Sequence, residues 1–264
     1  MPREPTRLFP ALLRHWRTRR GHSQLDLSLA AEVSSRHVSF LETGRAQPSR
    51  EMVLRLATVL DLPLRDQNAL LEAAGFAAAF SEATPERLPE IERALERMLA
   101  QQEPYPMVVV DHRYDVVRTN QGAARLLART IADPTALADA NNVFRLVFDP
   151  RLARAAIVDW ERTARALLSR LYRESIGDPE LTGLVRGLLE YPDVPPSFRY
   201  PDFSLPSEPT MVLRLRVDGE ELSFLTTMTM FSAPQNVTLD ELRIETYFPL
   251  DDATVAACAR MAAS

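Results

Sequence analysis

The chain has 264 residues, 46% hydrophobic and 25% charged, with one cysteine and a formal net charge of −5. Collagen-like, disordered and disulfide-framed classes are excluded, and the length allows one large domain or two of roughly 100–200 residues. The charge is unevenly placed: residues 1–60 hold ten Arg against five acids, a balance of +5, while the rest carries −10. A basic end on an acidic body points to a polyanion-binding module joined to a domain that avoids polyanions. All 31 basic residues are arginine, which reflects GC-rich codons and assigns no chemistry.

In chain order, the first 75 residues predict five short helices. Leu8, Leu12, Leu13 and Trp16 have helical spacing and stop at Gly21. Ser23 caps a second helix with Leu25, Leu29 and Ala30 as its apolar side. Ser34 caps a third, with Val38 and Leu41 inward and Gly44 at its C-terminal stop. Ser49 caps a fourth through Met52, Leu56, Ala57 and Leu60, and Pro63 opens a fifth that ends at Gly75. This all-α domain is placed at 1–76.

A linker runs from Phe76 to Pro85, followed by a helix on which Leu88, Ile91, Leu95 and Met98 repeat every three or four residues. That seam either packs on its own domain or pairs two copies; residues 77–102 are taken as linker and connecting helix. The second domain, 103–264, opens with a hairpin of Met107–Val110 and Val116–Thr119 around Asp111-His112-Arg113-Tyr114-Asp115. Asn120 caps a helix carrying Ala123, Leu126 and Leu127; 141–191 reads as mainly helical and 192–209 as a Pro-rich loop. Met211–Val217, Asp218-Gly219 and Glu221–Phe231 form the clearest hairpin, and Leu242–Phe248 a last strand. The domain is therefore expected to be α+β, an antiparallel sheet with a helical insertion.

Residues 23–44, SQLDLSLAAEVSSRHVSFLETG, place a short helix, a tight turn and a second capped helix together, a helix-turn-helix plan. Ser23-Gln24, Ala30, Val33-Ser34, Val38-Ser39, Leu41-Glu42 and Gly44 resemble the Xre/Cro/phage-repressor family. The resemblance implies that Gln24, Ser35 and Arg36 face bases, and Arg36 can donate two hydrogen bonds to a guanine, worth about 1–3 kcal/mol of discrimination. His37 faces a base, a phosphate or solvent. Ser34, Ser39, Arg45 and Gln47 are expected on phosphates, and Ser23 joins the DNA-facing set. Arg17 and Glu42 align with a buried ion pair. Two positions depart from the family pattern: Glu32 stands where glycine is usual, and Phe40 where an exposed polar or basic residue is usual. Phe40 either touches a thymine methyl or packs on another part of the chain.

Four segments of the second domain, PYPMVVVDHRYDVVRTNQGAARLL, NVFRLVFDPRLARAAIVDWERTARALLSRLYRES, GDPELTGLVRGLLE and GEELSFLTTMTMF, resemble the PAS-like ligand-binding domain of MmyB-like transcription regulators. The resemblance implies a small hydrophobic ligand such as a fatty acyl chain. Leu222, Phe224, Thr226, Met228 and Met230 share one strand face, which reads either as ordinary core or as the lining of an adaptable pocket. Phe144, Phe148 and Trp160 would form its helical wall, and Thr226 its polar handle.

No G-x-S-x-G, P-loop, G-x-G-x-x-G or H-E-x-x-H pattern occurs, so no enzyme is expected. His112 reads as a solvated turn residue and Cys258 as a small helix-packing residue; no cofactor and no metal are expected. No apolar run reaches the 18–20 residues of a membrane span and no signal-peptide core opens the chain, so a cytoplasmic protein is expected. The expected whole is a regulator that binds a double-stranded DNA operator as a homodimer. The alternatives are a ligand-free dimerisation or protein-interaction module, a haem- or flavin-type sensor, or an enzyme fused to a DNA anchor.

Overall fold

The computed structural model describes residues 8–83, 88–176, 178–200 and 211–263. Residues 84–85 of the predicted linker and 201–209 of the Pro-rich loop lie outside them. The chain forms two compact units, Met1–Arg87 with Ser232–Asp240, and Leu88–Phe231 with Glu241–Ser264. The second unit's chain is thus interrupted by a segment that folds with the first.

The first unit holds α1 (Leu8–Arg19), α2 (Gln24–Ala30), α3 (Ser35–Glu42), α4 (Arg50–Val59) and α5 (Leu64–Ala73). Local chemistry sets their ends. Ser23 and Asp26 form a reciprocal capping box on α2, while Ser34 and Ser49 accept from His37 N and Met52 N. Gly21, Gly44 and Gly75 take positive φ after α1, α3 and α5. Pro63 offers α5 no side-chain cap; the Asp240 carboxylate accepts from Leu64 N at 3.0 Å instead. Leu13, Leu27, Val38, Leu41, Val53, Leu56, Leu70 and Leu71 are fully buried, each worth about 1.5–3 kcal/mol relative to exposure.

Two apolar assignments need correction. On α2, Leu25, Leu29 and Ala30 are exposed, and Leu27, Ser28 and Ala31 face inward. Seven residues make less than two turns, so periodicity alone admits more than one phase. Leu27 sets the phase by entering the core with Val38 and Leu41, and Ser28 is tolerated there because its hydroxyl donates to Leu25 O. On α1, Leu8 is exposed and Phe9 takes the buried place.

The second unit is built on a five-stranded antiparallel sheet of order β2-β1-β5-β4-β3: β1 (Met107–Val110), β2 (Val116–Thr119), β3 (Met211–Val217), β4 (Glu220–Met230) and β5 (Arg243–Pro249). Between β2 and β3 lie α7 (Gln121–Thr130), α8 (Val143–Phe148), α9 (Trp160–Ser175) and α10 (Pro179–Leu188), as the α+β reading expects. The β3–β4 hairpin closes at Asp218 and Gly219, φ +51° and +85°, the pair of positive values a two-residue type I′ turn requires. Gly122 opens α7 so close to the chain that a Cβ there would lie 2.5 Å from Pro104 O.

Before β1 comes α6 (Pro89–Gln102), the expected connecting helix, which belongs to the second unit. Leu95 is buried, Glu92 pairs with Arg118 of β2, and Gln102 Nε2 donates to Tyr247 O of β5. Leu88, Ile91 and Met98 are half-buried. Within β4 and β5 the chain detours through α11 (Val237–Glu241), whose Val237 N donates to Ser81 O within the first unit. The chain ends in α12 (Asp252–Ala263).

Candidate nucleic-acid interface and second-domain core

The outer face of α3 is built by what its inner face must do. Val38 and Leu41 are fully buried, which turns Ser35, Arg36, Ser39 and Phe40 outward. Ser35 and Arg36 are exposed, and Arg45 and Gln47 are exposed in the loop that follows. His37, Ser39 and Phe40 are half-buried. Among the described residues, Arg36 and Arg45 have no ion-pair partner; their guanidinium carbons lie 5.1 and 6.0 Å from the centre of the Phe40 ring. Phe40 thus sits beneath two cations in its own unit. Ser23 and Ser34 use their side-chain oxygens as helix caps, and each hydroxyl keeps a proton to donate.

Beneath this face, Arg17 Nε lies 2.5 Å from Glu42 Oε1, and its Nη1 donates to His22 O at 2.7 Å. The Glu42 side chain is 3% exposed, and its hydrogen bond to Arg17 raises the guanidinium's pKa against the opposing effect of burial. Gln24, expected to face bases, instead points its amide at Glu42 Oε2, 2.8 Å away. Glu32 takes φ +55° at the turn between α2 and α3, so a glutamate occupies the left-handed conformation that favours glycine.

In the second unit, Phe144, Phe148 and Phe224 are fully buried in one core. Trp160 lies half-buried between the Arg154 guanidinium, 3.7 Å away, and the Phe198 ring, and donates from Nε1 to Val147 O. The Thr226 hydroxyl donates to Met211 O; Met228 packs on the core and Met230 is exposed. A surface cleft of about 710 Å³ lies elsewhere, bordered by Leu99 of α6, Pro104 in the turn after it, Asn120 capping α7, Arg125 of α7 and Ala259 of α12.

Sequence reasoning missed a polar network on the sheet face that also carries Phe224 and Met228. Across the β4–β5 ladder, Met228 pairs with Glu245 and Thr226 with Tyr247, which puts Arg243, Glu245 and Tyr247 on that face. From α9, Arg170 Nη2 donates to Tyr114 Oη at 2.7 Å, and Arg170 Nε pairs with Glu174. Tyr114 Oη donates to Glu174 Oε2, and Arg243 Nη1 stands 3.1 Å from the same oxygen. Burial pushes the Glu245 carboxyl and both tyrosines upward. Burial also opposes ionisation of Glu174, but Tyr114, Arg243 and Arg170 together hold it below its usual value. The alternation Arg243-Ile-Glu245-Thr-Tyr247 was the available signal, joined to the i,i+4 pair on α9.

His112 is not a solvated turn residue. Its Nδ1 lies 3.3 Å from Glu241 and its Nε2 3.2 Å from Glu180; the bond to Glu241 is the largest of several effects that raise its pKa. Cys258 is 1% exposed on α12, and burial pushes its thiol up to about 11. The described residues contain no group of three or more His, Cys, Asp or Glu able to hold a metal. No described helix is long and apolar enough to cross a membrane.

Comparison with the curated proteins gives no match. A solved structure, "Structure of an RNA-binding Light-Oxygen-Voltage Receptor", aligns at 14% identity with 95% of this chain. This chain covers 55% of that one, and the TM-score of 0.26 means the likeness carries no argument. Family models are informative. A helix-turn-helix domain matches residues 9–71, and the ligand-binding domain of MmyB-like transcription regulators matches 91–261. The second match spans more than half of the chain, and the capped α2–α3 pair lies within the residues of the first. The chain belongs to the family of MmyB-like transcription regulators.

Proposed function

We propose that this regulator reads a specific duplex operator with the outer face of α3 and that a small hydrophobic ligand in the PAS-like second domain adjusts that binding. The observation that carries the reading is the outer face itself: Ser35, Arg36 and Arg45 are exposed, and neither arginine is neutralised by a carboxylate among the described residues. Arg36 reads a guanine edge, with Ser35 beside it. Ser23, Ser34, Ser39, Arg45 and Gln47 hold phosphates and fix the register, and His37 borders the same surface. Gln24 contributes by ordering Glu42 beneath the face. The operator is a rough palindrome bound by a homodimer, because one recognition helix covers a single half-site.

The ligand is a fatty acyl chain or a molecule of similar chemistry. Support comes from two guanidiniums, Arg170 and Arg243, that stand over the Tyr114 ring beside the carboxylates Glu174 and Glu245, with Arg170 also against Met228. Such a pair suits a carboxylate head group, whose place Glu174 now fills, while a methionine-lined face adapts to a chain. To the same ligand we assign Phe144, Phe148 and Trp160 as the helical wall, with Thr226 and Met230 on the strand side. Continuity of the chain supports coupling: the segment joining β4 to β5 folds with the DNA-binding unit. A ligand acts only through unequal affinity for two states.

The test is to select duplexes from random DNA with the full chain and to measure affinity with and without a saturated fatty acid. The expected outcome is a selected operator whose affinity changes with fatty acid. Equal affinity for selected and scrambled DNA contradicts the operator reading, and an unchanged operator affinity contradicts the ligand reading.

A further inference from the structure

We propose that Phe40 is a positioning residue for DNA recognition, its ring acting as the platform that holds the guanidinium groups of Arg36 and Arg45 ready for the duplex. This rests on the reading of α3 as the DNA-facing helix.

The geometry comes from two separate constraints. Arg36 and Phe40 are four residues apart on α3 and so share a face, with the guanidinium carbon 5.1 Å from the ring centre. Arg45 lies outside the helix, and its place is fixed by the way α3 ends. Gly44 turns to φ +72°, Gly44 N donates to Leu41 O, and Arg45 N donates to Phe40 O at 2.8 Å. These are the two bonds of a Schellman closure. Phe40 therefore fixes Arg45 twice, by its carbonyl to the backbone and by its ring to the guanidinium, 6.0 Å away.

The choice of a ring has a chemical consequence. A carboxylate partner would hold these arginines more firmly, but it would cancel their charge and compete with phosphate for their N–H groups. An aromatic ring attracts a guanidinium through its face while leaving the net charge and the N–H donors at the edge free. Rotamer freedom is then lost before DNA arrives, so less is lost on binding. Arg17 shows the other solution within the same unit: its guanidinium is closed off by Glu42 and His22 O and serves the fold. An aromatic residue in the middle of an otherwise polar recognition face is thereby explained without a contact of its own to a base.

The experiment uses the full chain on its selected operator, with Phe40→Leu, which keeps apolar volume without a ring, and Phe40→Tyr, which keeps the ring. Phe40→Leu is expected to weaken binding about 5- to 30-fold, the equivalent of two exposed cation–ring contacts, and to blunt base preference at the position Arg36 reads. Phe40→Tyr is expected to retain both, with thermal midpoints near wild type. In an Arg36→Ala, Arg45→Ala background, Phe40→Leu is expected to add no further loss. An undiminished loss in that background overturns the proposal. So does a loss of affinity on replacing operator thymines by uracil that the wild type shows and Phe40→Leu does not, because the ring would then be reading a methyl group. NMR of the free wild-type protein needs no variant: the side-chain protons of Arg36 and Arg45 should be ring-shifted, and unshifted signals also overturn it. Failure of the wild type to select any operator would instead defeat the reading of α3.

Discussion

Arg17 and Glu42 meet across 25 positions of sequence, Nε to Oε1 at 2.5 Å, and join α1 to the last turn of α3. Gln24 of α2 donates to the other carboxylate oxygen, so one buried anion orders three helices. Removing either charge strands its partner out of water, at a typical cost of about 3–5 kcal/mol. Arg17→Ala and Glu42→Ala are each expected to lower the stability of the helical unit by that order in urea denaturation. Replacing both together with apolar residues of similar volume should cost much less than the two single changes added.

The turn at Glu32 offers the opposite sign. Its φ of +55° costs a side chain about 1–2 kcal/mol, which glycine avoids at some cost in unfolded-chain entropy. Glu32→Gly is expected to raise the stability of the unit by roughly 0.5–1 kcal/mol, with operator affinity unchanged. A lowered thermal midpoint would show that the glutamate side chain gives more than its backbone takes.

The His112 site links stability to pH. Its folded pKa is raised above the ordinary value of 6.5, chiefly by Glu241 and further by Glu180 and Asp111. The contribution is therefore complete below about pH 6.5 and is lost as pH rises through the folded value. Urea denaturation followed at a second-unit probe should show stability declining across that window, and His112→Gln should flatten the decline. An unchanged slope in the variant would assign the pH dependence to other groups.

Most of the helical unit was legible because its signals are local: the capping serines, the stop glycines and the inward Val38 and Leu41 can be read without knowing the partner surface. The α2 face was not, since the choice between Leu25 and Leu27 depends on what α3 and α4 present to it. The sheet hairpins were legible for the same local reason, Asp218-Gly219 above all. The Arg170–Glu174–Arg243–Glu245 network was hidden because alternation on β5 suggests that its polar face meets water. The residue that covers Tyr114 and meets Met228 there, Arg170, lies more than 70 positions earlier in the chain. His112 was misread likewise, its partners Glu180 and Glu241 being distant in sequence.

Arg45 and Arg36 are given different tasks, and salt separates them. Arg45→Ala is expected to weaken binding to all duplexes alike and to lower the dependence of log affinity on log salt by about 1. A loss confined to the operator, with an unchanged salt slope, would place Arg45 on a base.

The most direct measurement of the central claim compares base preference, position by position along the selected operator, for the wild type and Arg36→Ala. The variant is expected to lose discrimination at one guanine per half-site, by about 1–3 kcal/mol, and to keep its preferences elsewhere. Unchanged affinity and unchanged preference at every position would contradict the assignment of α3 as the reading helix.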